Sequence, residues 1–221
     1  MAAPEKLVAW IRSKTGNSKV RADSALVRLP VIVPPSKQLL ILDIDETLVY
    51  ADTKPLSVVA SDLQVGQYLV YRRPFLSEFL GYVNEWFDLA VWSSASAAYV
   101  DSVVASVFDH TFSLRFVWSR DRCTRRYDAE LQEHYFAKTL TKARRIGYSL
   151  ERILIIDDSP EKVSLNYGNH IRVRPFKGNP ADTELRDLLP FLSWLRGVEN
   201  VRRVEKRFWR SFKPPESVGH T

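Results

Sequence analysis

Residues 38–49 read Gln-Leu-Leu-Ile-Leu-Asp-Ile-Asp-Glu-Thr-Leu-Val. An apolar run bounded by polar residues is the pattern of a strand buried on both faces of a parallel sheet. Its carboxyl end carries Asp43, Asp45 and Glu46. That is where open α/β sheets bind their ligands. Two further runs have the same form. Asp88-Leu-Ala-Val-Trp92 leads into Ser93-Ser94, and Ile153-Leu-Ile-Ile leads into Asp157-Asp158-Ser159-Pro160.

The segments between these runs supply the helices. Pro74 opens a stretch with apolar residues at 75, 76, 79, 80, 83, 86 and 87, which is helical spacing. Helices are also predicted over 96–108, 136–146 and 182–196, the last with a possible kink at Pro190. Further strands are predicted at 111–118 and 169–175, and a strand pair over 56–72 turning at Gly66. Strands alternating with helices predict an α/β fold, a doubly wound, mainly parallel sheet.

The 221 residues suit one domain with modest extensions. Apolar residues at 45% and charged residues at 26% exclude wholesale disorder. Cys123 has no partner, which excludes a disulfide scaffold. No apolar run approaches the roughly 18 residues of a membrane helix. The start, MAAPEKLVAW, lacks a basic segment followed by an apolar one. A reducing, cytoplasmic compartment is therefore expected, or a nuclear one in a eukaryote.

Net charge is +6, unevenly spread: +5 in residues 1–37, −3 in 38–199 and +4 in 200–221. Residues 1–37, with a short helix expected at 4–14 and Pro34-Pro35 at the end, read as a basic arm. Residues 38–199 form the folded body, and 200–221 a basic tail, frayed or docked on the surface. A nucleic-acid reader would be expected to carry its positive charge on the body.

Carboxylates converging from separate strand ends repel one another, so they raise each other's pKa or take up a cation. With no His or Cys among them, the hard-oxygen donors point to Mg2+. A metal ringed by carboxylates, with one of them free to attack, suits phosphoryl transfer through an aspartyl-phosphate. Metal and a nearby Lys neutralise the phosphoryl oxygens. Asp45, two residues on, is placed to serve as general acid and then as general base for water.

DIDETLV (43–49), WSSA (92–95), Lys138 in YFAKTL and DDSP (157–160) resemble the four motifs of the haloacid-dehalogenase phosphohydrolase superfamily. With RPFLSEFL (73–80) and DTELRDLLPFL (182–192) added, the chain resembles the small carboxy-terminal-domain phosphatases, the NLI-interacting-factor-like family. The match spans about 38–196. It implies a haloacid-dehalogenase-type sheet with a small β insertion and no large cap, making 38–199 the phosphatase domain. It also implies a Mg2+-dependent phosphatase for phosphoserine or phosphothreonine in a protein or peptide.

By the same resemblance, Asp43 is nucleophile and metal ligand. Asp45 is the general acid/base and adds its backbone carbonyl to the metal. Thr47 supports the loop. Ser93 holds a phosphoryl oxygen, and Ser94 offers its backbone N–H. Lys138 neutralises phosphate and nucleophile. Asp157 and Asp158 complete the metal set, one as direct ligand and the other backing Lys138 or a metal water. Ser93 stands where Thr is commoner, and Thr139 where many members have Asp.

Other chemistries find no support. Ala129 stands where a cysteine phosphatase starting at Cys123 would need Arg. His110, His134, His170 and His220 lack metal-ligand spacing, and no P-loop is present. Arg73 reads as a brace for the site loops. Arg120, Arg122, Arg125 and Arg126 form a basic cluster, a solvated loop or a steering patch for an anionic substrate. Two alternatives remain: a polynucleotide end phosphatase that uses the basic flanks, and a phospho-binding scaffold without turnover. No membrane partner is expected, and oligomeric state is not legible.

Overall fold

The computed structural model describes residues 37–130 and 132–214. The expected helix at 4–14, the Pro34-Pro35 linker, His220 and the rest of the N-terminal arm to residue 36 lie outside these described residues.

β1 (Leu39–Leu42) is followed by an antiparallel excursion of β2 (Val49–Asp52), β3 (Leu63–Val65) and β4 (Tyr68–Arg72). Helix α1 (Leu76–Trp86) leads to β5 (Asp88–Trp92), and α2 (Ala97–Val107) to β6 (Leu114–Trp118). A hairpin of β7 (Thr124–Asp128) and β8 (Glu133–Ala137) precedes β9 (Ile153–Asp157). The one-turn α3 (Pro160–Val163), β10 (His170–Arg172) and α4 (Glu184–Leu195) complete the body.

Five strands form the central sheet in the order β10-β9-β1-β5-β6, every pair parallel. The expected α/β architecture is thus observed. The chain moves from β1 outward through β5 to β6, then crosses back to β9 on the other flank of β1. The topological switch point is therefore the carboxyl end of β1, where the acidic residues stand.

Two apolar layers sandwich the sheet because the strand period is two. Leu40, Leu42, Leu89, Val91, Leu154 and Ile156 face a core shared with α1, α2 and α4. Leu39, Ile41, Ala90, Trp92, Ile153 and Ile155 face the opposite layer, which holds Leu140, Ala143, Tyr148 and Val163. In α1, Leu76, Phe79, Leu80 and Val83 are buried, the i, i+3, i+4, i+7 stripe read from the sequence.

Three local readings need correction. The strand pair over 56–72 is the shorter β3–β4 hairpin, and β2 joins it to make a three-stranded sheet. Residues 136–146 are not one helix. Phe136 and Ala137 end β8, paired with Arg125 and Thr124, and 3-10 turns begin at Leu140. The Lys138 amide is bonded to the Lys162 carbonyl at 2.7 Å, so the chain passes straight through the point where a helix would start.

The stretch after residue 200 packs on the body as far as it is described. Trp209 is buried, and its indole N–H donates to the Arg172 carbonyl at 2.9 Å. Phe212 meets Phe191 of α4 edge to face, with ring centroids 5.1 Å apart. Trp209→Ala is therefore expected to destabilise the fold by about 3–5 kcal/mol. Chemical denaturation checks this, and a loss under about 1 kcal/mol would mean the segment is a loose appendage.

Candidate active site

The loop after β1 is a tight turn. The amides of Leu48 and Val49 both donate to the Ile44 carbonyl, at 2.8 and 3.1 Å, and Glu46 takes a left-handed φ of 60°. Arg73 holds this turn from below. Its buried guanidinium grips Asp182 through two N–H bonds of 2.8 and 2.9 Å. It also donates to the carbonyls of Thr47 (3.1 Å) and Arg174 (2.9 Å). One planar cation thus ties the β1 loop to the segment after β10, the bracing role expected of it. Asp182 was not singled out in the sequence.

Asp43 is buried at the end of β1, with the Thr47 hydroxyl 3.3 Å from Oδ2. The buried Lys138 ammonium donates to Asp43 Oδ1 and, at 2.6 Å, to Asp157 Oδ2. Burial works against a charged lysine, but the carboxylates of Asp157 and Asp43 outweigh it and hold Lys138 above its ordinary pKa. Burial pushes Asp43 up, partly opposed by Lys138 and reinforced by Asp157.

Asp158 Oδ2 accepts from the Ser159 hydroxyl at 3.1 Å, while its Oδ1 is buried without a partner. Burial and the charge of Asp43 raise this carboxyl also. Oxygens of Asp43, Asp157 and Asp158 lie within 4.8 Å of one another. Lys162, on α3, carries a second cation. Its charge is favoured, against burial, by Asp43 and Asp157.

Asp45 faces the other way. The Tyr99 hydroxyl donates to its Oδ1 at 2.6 Å, and the Ser93 hydroxyl lies 3.4 Å from Oδ2. Its pKa is raised, first by burial and then by Asp43, with the Tyr99 hydrogen bond opposing. A cavity of about 470 Å3 opens here, lined by Asp45, Glu46, Tyr50, Tyr68, Tyr99 and Arg120. Ser94 gives its carbonyl to Arg120 Nε at 2.7 Å. Cys123 stays a thiol, since burial pushes its pKa up.

The structure therefore gathers Asp43, Thr47, Lys138, Asp157 and Asp158 into one cluster, with Asp45 and Ser93 beside it. Tyr99 and Lys162 belong to the same neighbourhood and were missed. Tyr99 stands six residues after Ser93, in the first turn of α2, and Lys162 four after Asp158, on α3. The donor set fits a hard divalent ion: it is all oxygen, one buried carboxylate oxygen lacks a partner, and the three carboxylates of Asp43, Asp157 and Asp158 meet within 4.8 Å.

The model for NLI interacting factor-like phosphatases matches residues 38–202. The chain belongs to this family. It is 33% identical over 170 residues to the human "Carboxy-terminal domain RNA polymerase II polypeptide A small phosphatase 1", covering 74% of this chain and 61% of that protein. A Caenorhabditis elegans "CTD small phosphatase-like protein 1" is 31% identical, covering 85% of this chain and 38% of the relative. The "Nuclear envelope morphology protein 1" of Saccharomyces cerevisiae is 28% identical, with 81% and 44% covered. The chain thus spans between 38% and 61% of the length of these relatives. The fold is similar to the solved structure of Fcp1, an RNA polymerase II CTD phosphatase. The TM-score is 0.57 at 17% identity, covering 75% of this chain and 68% of that one.

The family's RPFLSEFL motif has a physical reading in Arg73. Arg73→Lys keeps the charge but loses the planar fork that serves Asp182 and two loop carbonyls at once. Stability is expected to fall by about 1–3 kcal/mol in chemical denaturation, since buried acceptors lose their donors. An unchanged midpoint would show that the loop is held by other means.

Proposed function

We propose that this protein is a Mg2+-dependent phosphatase that hydrolyses phosphoserine or phosphothreonine in proteins through an aspartyl-phosphate. The supporting observation is the meeting of Asp43, Asp157 and Asp158 within 4.8 Å, with the Lys138 ammonium shared between the first two.

Asp43 and Asp158, with the backbone carbonyl of Asp45, would hold the ion. Asp158 would be the direct ligand, a choice supported by its Oδ1 having no protein partner, whereas Asp157 is committed to Lys138 and the Ser159 amide. The bound ion supplies neutralisation of negative charge on the phosphoryl oxygens.

The chain's own groups do the rest. An Asp43 carboxylate oxygen attacks phosphorus as the bond to the serine or threonine oxygen breaks. Asp45, whose pKa burial and the charge of Asp43 raise, acts as the acid that gives a proton to that leaving oxygen. The resulting carboxylate then takes a proton from water, whose oxygen attacks the phosphoryl group and frees Asp43. Lys138 balances the charge on Asp43 and on the phosphoryl group. Ser93 hydroxyl and the amide of Ser94 hold phosphoryl oxygens, and Thr47 fixes the Asp43 rotamer. Tyr99 orients the Asp45 carboxyl through its 2.6 Å bond.

Two experiments test this reading. Asp43→Asn should lower turnover of aryl phosphates and phosphopeptides by roughly 10^3–10^6-fold. Chelation should abolish turnover in the intact chain, and added Mg2+ should restore it. Full activity in either condition would remove the mechanism. The second concerns Tyr99. A poor leaving group needs the proton from Asp45, whereas a nitrophenolate does not. Tyr99→Phe should therefore cut kcat on a phosphoserine peptide by roughly 3–10-fold and on p-nitrophenyl phosphate by less than about 2-fold. Equal losses on both would assign Tyr99 a merely structural part.

A further inference from the structure

A second cavity, of about 360 Å3, lies along the open edge of the sheet and combines residues from α3, β10 and the segment after residue 200. Five of its lining side chains are Arg172, Arg202, Arg203, Lys206 and Arg207. The carboxylate among them, Glu205, is already engaged by Arg207 at 2.6 Å. Arg172, Arg202 and Arg203 make no direct ion pair among the described residues, although Arg202 lends its charge to the exposed Glu151.

Lys206 is the unusual member. It is 4% exposed, yet its ammonium meets only the carbonyls of Val201 (2.5 Å) and Val204 (2.7 Å). Two of its three N–H bonds are thus used, and no carboxylate makes a direct ion pair with it among the described residues, Glu205 acting only from a distance. Burial pulls its pKa down to about 8, and the neighbouring Glu205 carboxylate opposes this only in part. A buried ammonium left in this state is costly, and an anion would relieve it.

The wall is also fixed in place. A Cβ on Gly168 would stand 3.3 Å from both the Cβ and the carbonyl oxygen of Arg202, so glycine lets the two segments close on each other. Arg207 lies over the rings of Tyr167 and Phe208, at 5.9 and 5.6 Å from their centroids.

Position relates this cavity to the reaction. Arg172 pairs in register with Asp157, so it stands at the level of the catalytic carboxylates. It is two strand spacings, roughly 10 Å, from the β1 end that carries Asp43. An extended peptide covers that span in about three residues, and in a few more when it crosses the surface. The cavity is compact rather than a stripe along which a polynucleotide backbone would track. We propose that it is a second anion site, which holds a phosphoryl group on the same peptide chain about three to six residues from the one being hydrolysed. This rests on the phosphoprotein phosphatase reading, and it makes multiply phosphorylated or closely spaced phosphosites the preferred substrate class.

The test is equilibrium binding to the full chain carrying Asp43→Asn, so that peptides are held and not consumed. Fluorescently labelled peptides of one sequence would carry either one phosphoserine or two, four residues apart. The doubly phosphorylated peptide should bind roughly 10–100-fold tighter. Adding Arg172→Gln with Arg203→Gln, both at exposed side chains, should bring that advantage below about 2-fold. The ratio of the two affinities is the readout, because misfolding or damage to the first site would weaken both peptides alike. Equal affinities, or an advantage that survives the double substitution, would overturn the proposal. So would an end-phosphorylated oligonucleotide that outcompetes both peptides with steep salt dependence. Aryl phosphate turnover by the unsubstituted chain is measured beside it. Its absence with the ratio intact would fault the enzymatic reading and not the cavity.

Discussion

The buried Lys138 ammonium between Asp43 and Asp157 is the contact on which the rest of the structure turns. It joins the ends of β1 and β9 to the segment that leaves β8. Strand register creates the opening for it. Leu42 stands beside Ile156 in the parallel pair, so the residues that follow, Asp43 and Asp157, come level. Both side chains then project to the layer that holds Leu140 and Ala143, just past Lys138. Such a cluster is expensive to bury, and replacing it by apolar residues would cost the fold little. Its retention makes sense as function. Asp43, Asp157 and Asp158 outnumber the two lysines beside them, and burial raises the pKa of Asp43 and Asp158, so a proton or a further cation offsets the excess.

Preorganisation comes from a second buried cation. Arg73 touches neither Asp43 nor Asp45, yet its N–H groups serve the carbonyls of Thr47 and Arg174 and both oxygens of Asp182. The β1 loop, with Glu46 in a left-handed conformation, is thereby tied to the segment that follows β10. Gly178 works in the same place. At φ +80° it passes so close to Leu56 that a Cβ would fall 2.2 Å from Leu56 Cδ1. The β2–β4 excursion is consequently pinned against the loops around the nucleophile, and the carboxylates sit on a rigid frame.

What the sequence disclosed follows from where burial is uniform. β1, β5 and β9 are buried on both faces, so their apolar runs stand out, and α1 shows its stripe without ambiguity. The acidic motifs were legible because each follows such a run directly. The β7–β8 hairpin was not, since its first strand is exposed at Arg125, Arg126 and Tyr127 and carries no apolar alternation. Its register rests on backbone pairing, which leaves little trace in side-chain pattern. Tyr99 and Lys162 belong to the site through folding of short helices back toward the sheet end, a relation that spacing alone does not reveal. The segment after residue 200 reads as charged, and its arginines conceal Val201, Lys206 and Trp209, all of which are buried.

These placements leave the site open at its rim. Two β excursions occupy the rim, and no large cap covers the site among the described residues, in keeping with the fold shared with Fcp1. The cavity beside Asp45 is walled by tyrosines from three separate elements and by Arg120, so a leaving group as large as a peptide can approach along it. On the other flank, α3 carries Lys162 toward the carboxylates while Pro160 and Val163 line the basic cavity next to β10. Residues 38–199 are net negative as a whole, and Asp43, Asp45, Glu46, Asp157 and Asp158 meet at the strand ends with cations on either side. A polyanionic chain is thus repelled by the uncompensated carboxylates and attracted by their surroundings. On the function proposed above, that arrangement favours a substrate that spans the site over a free phosphate that merely enters it, because only the former reaches the cations on the flanks.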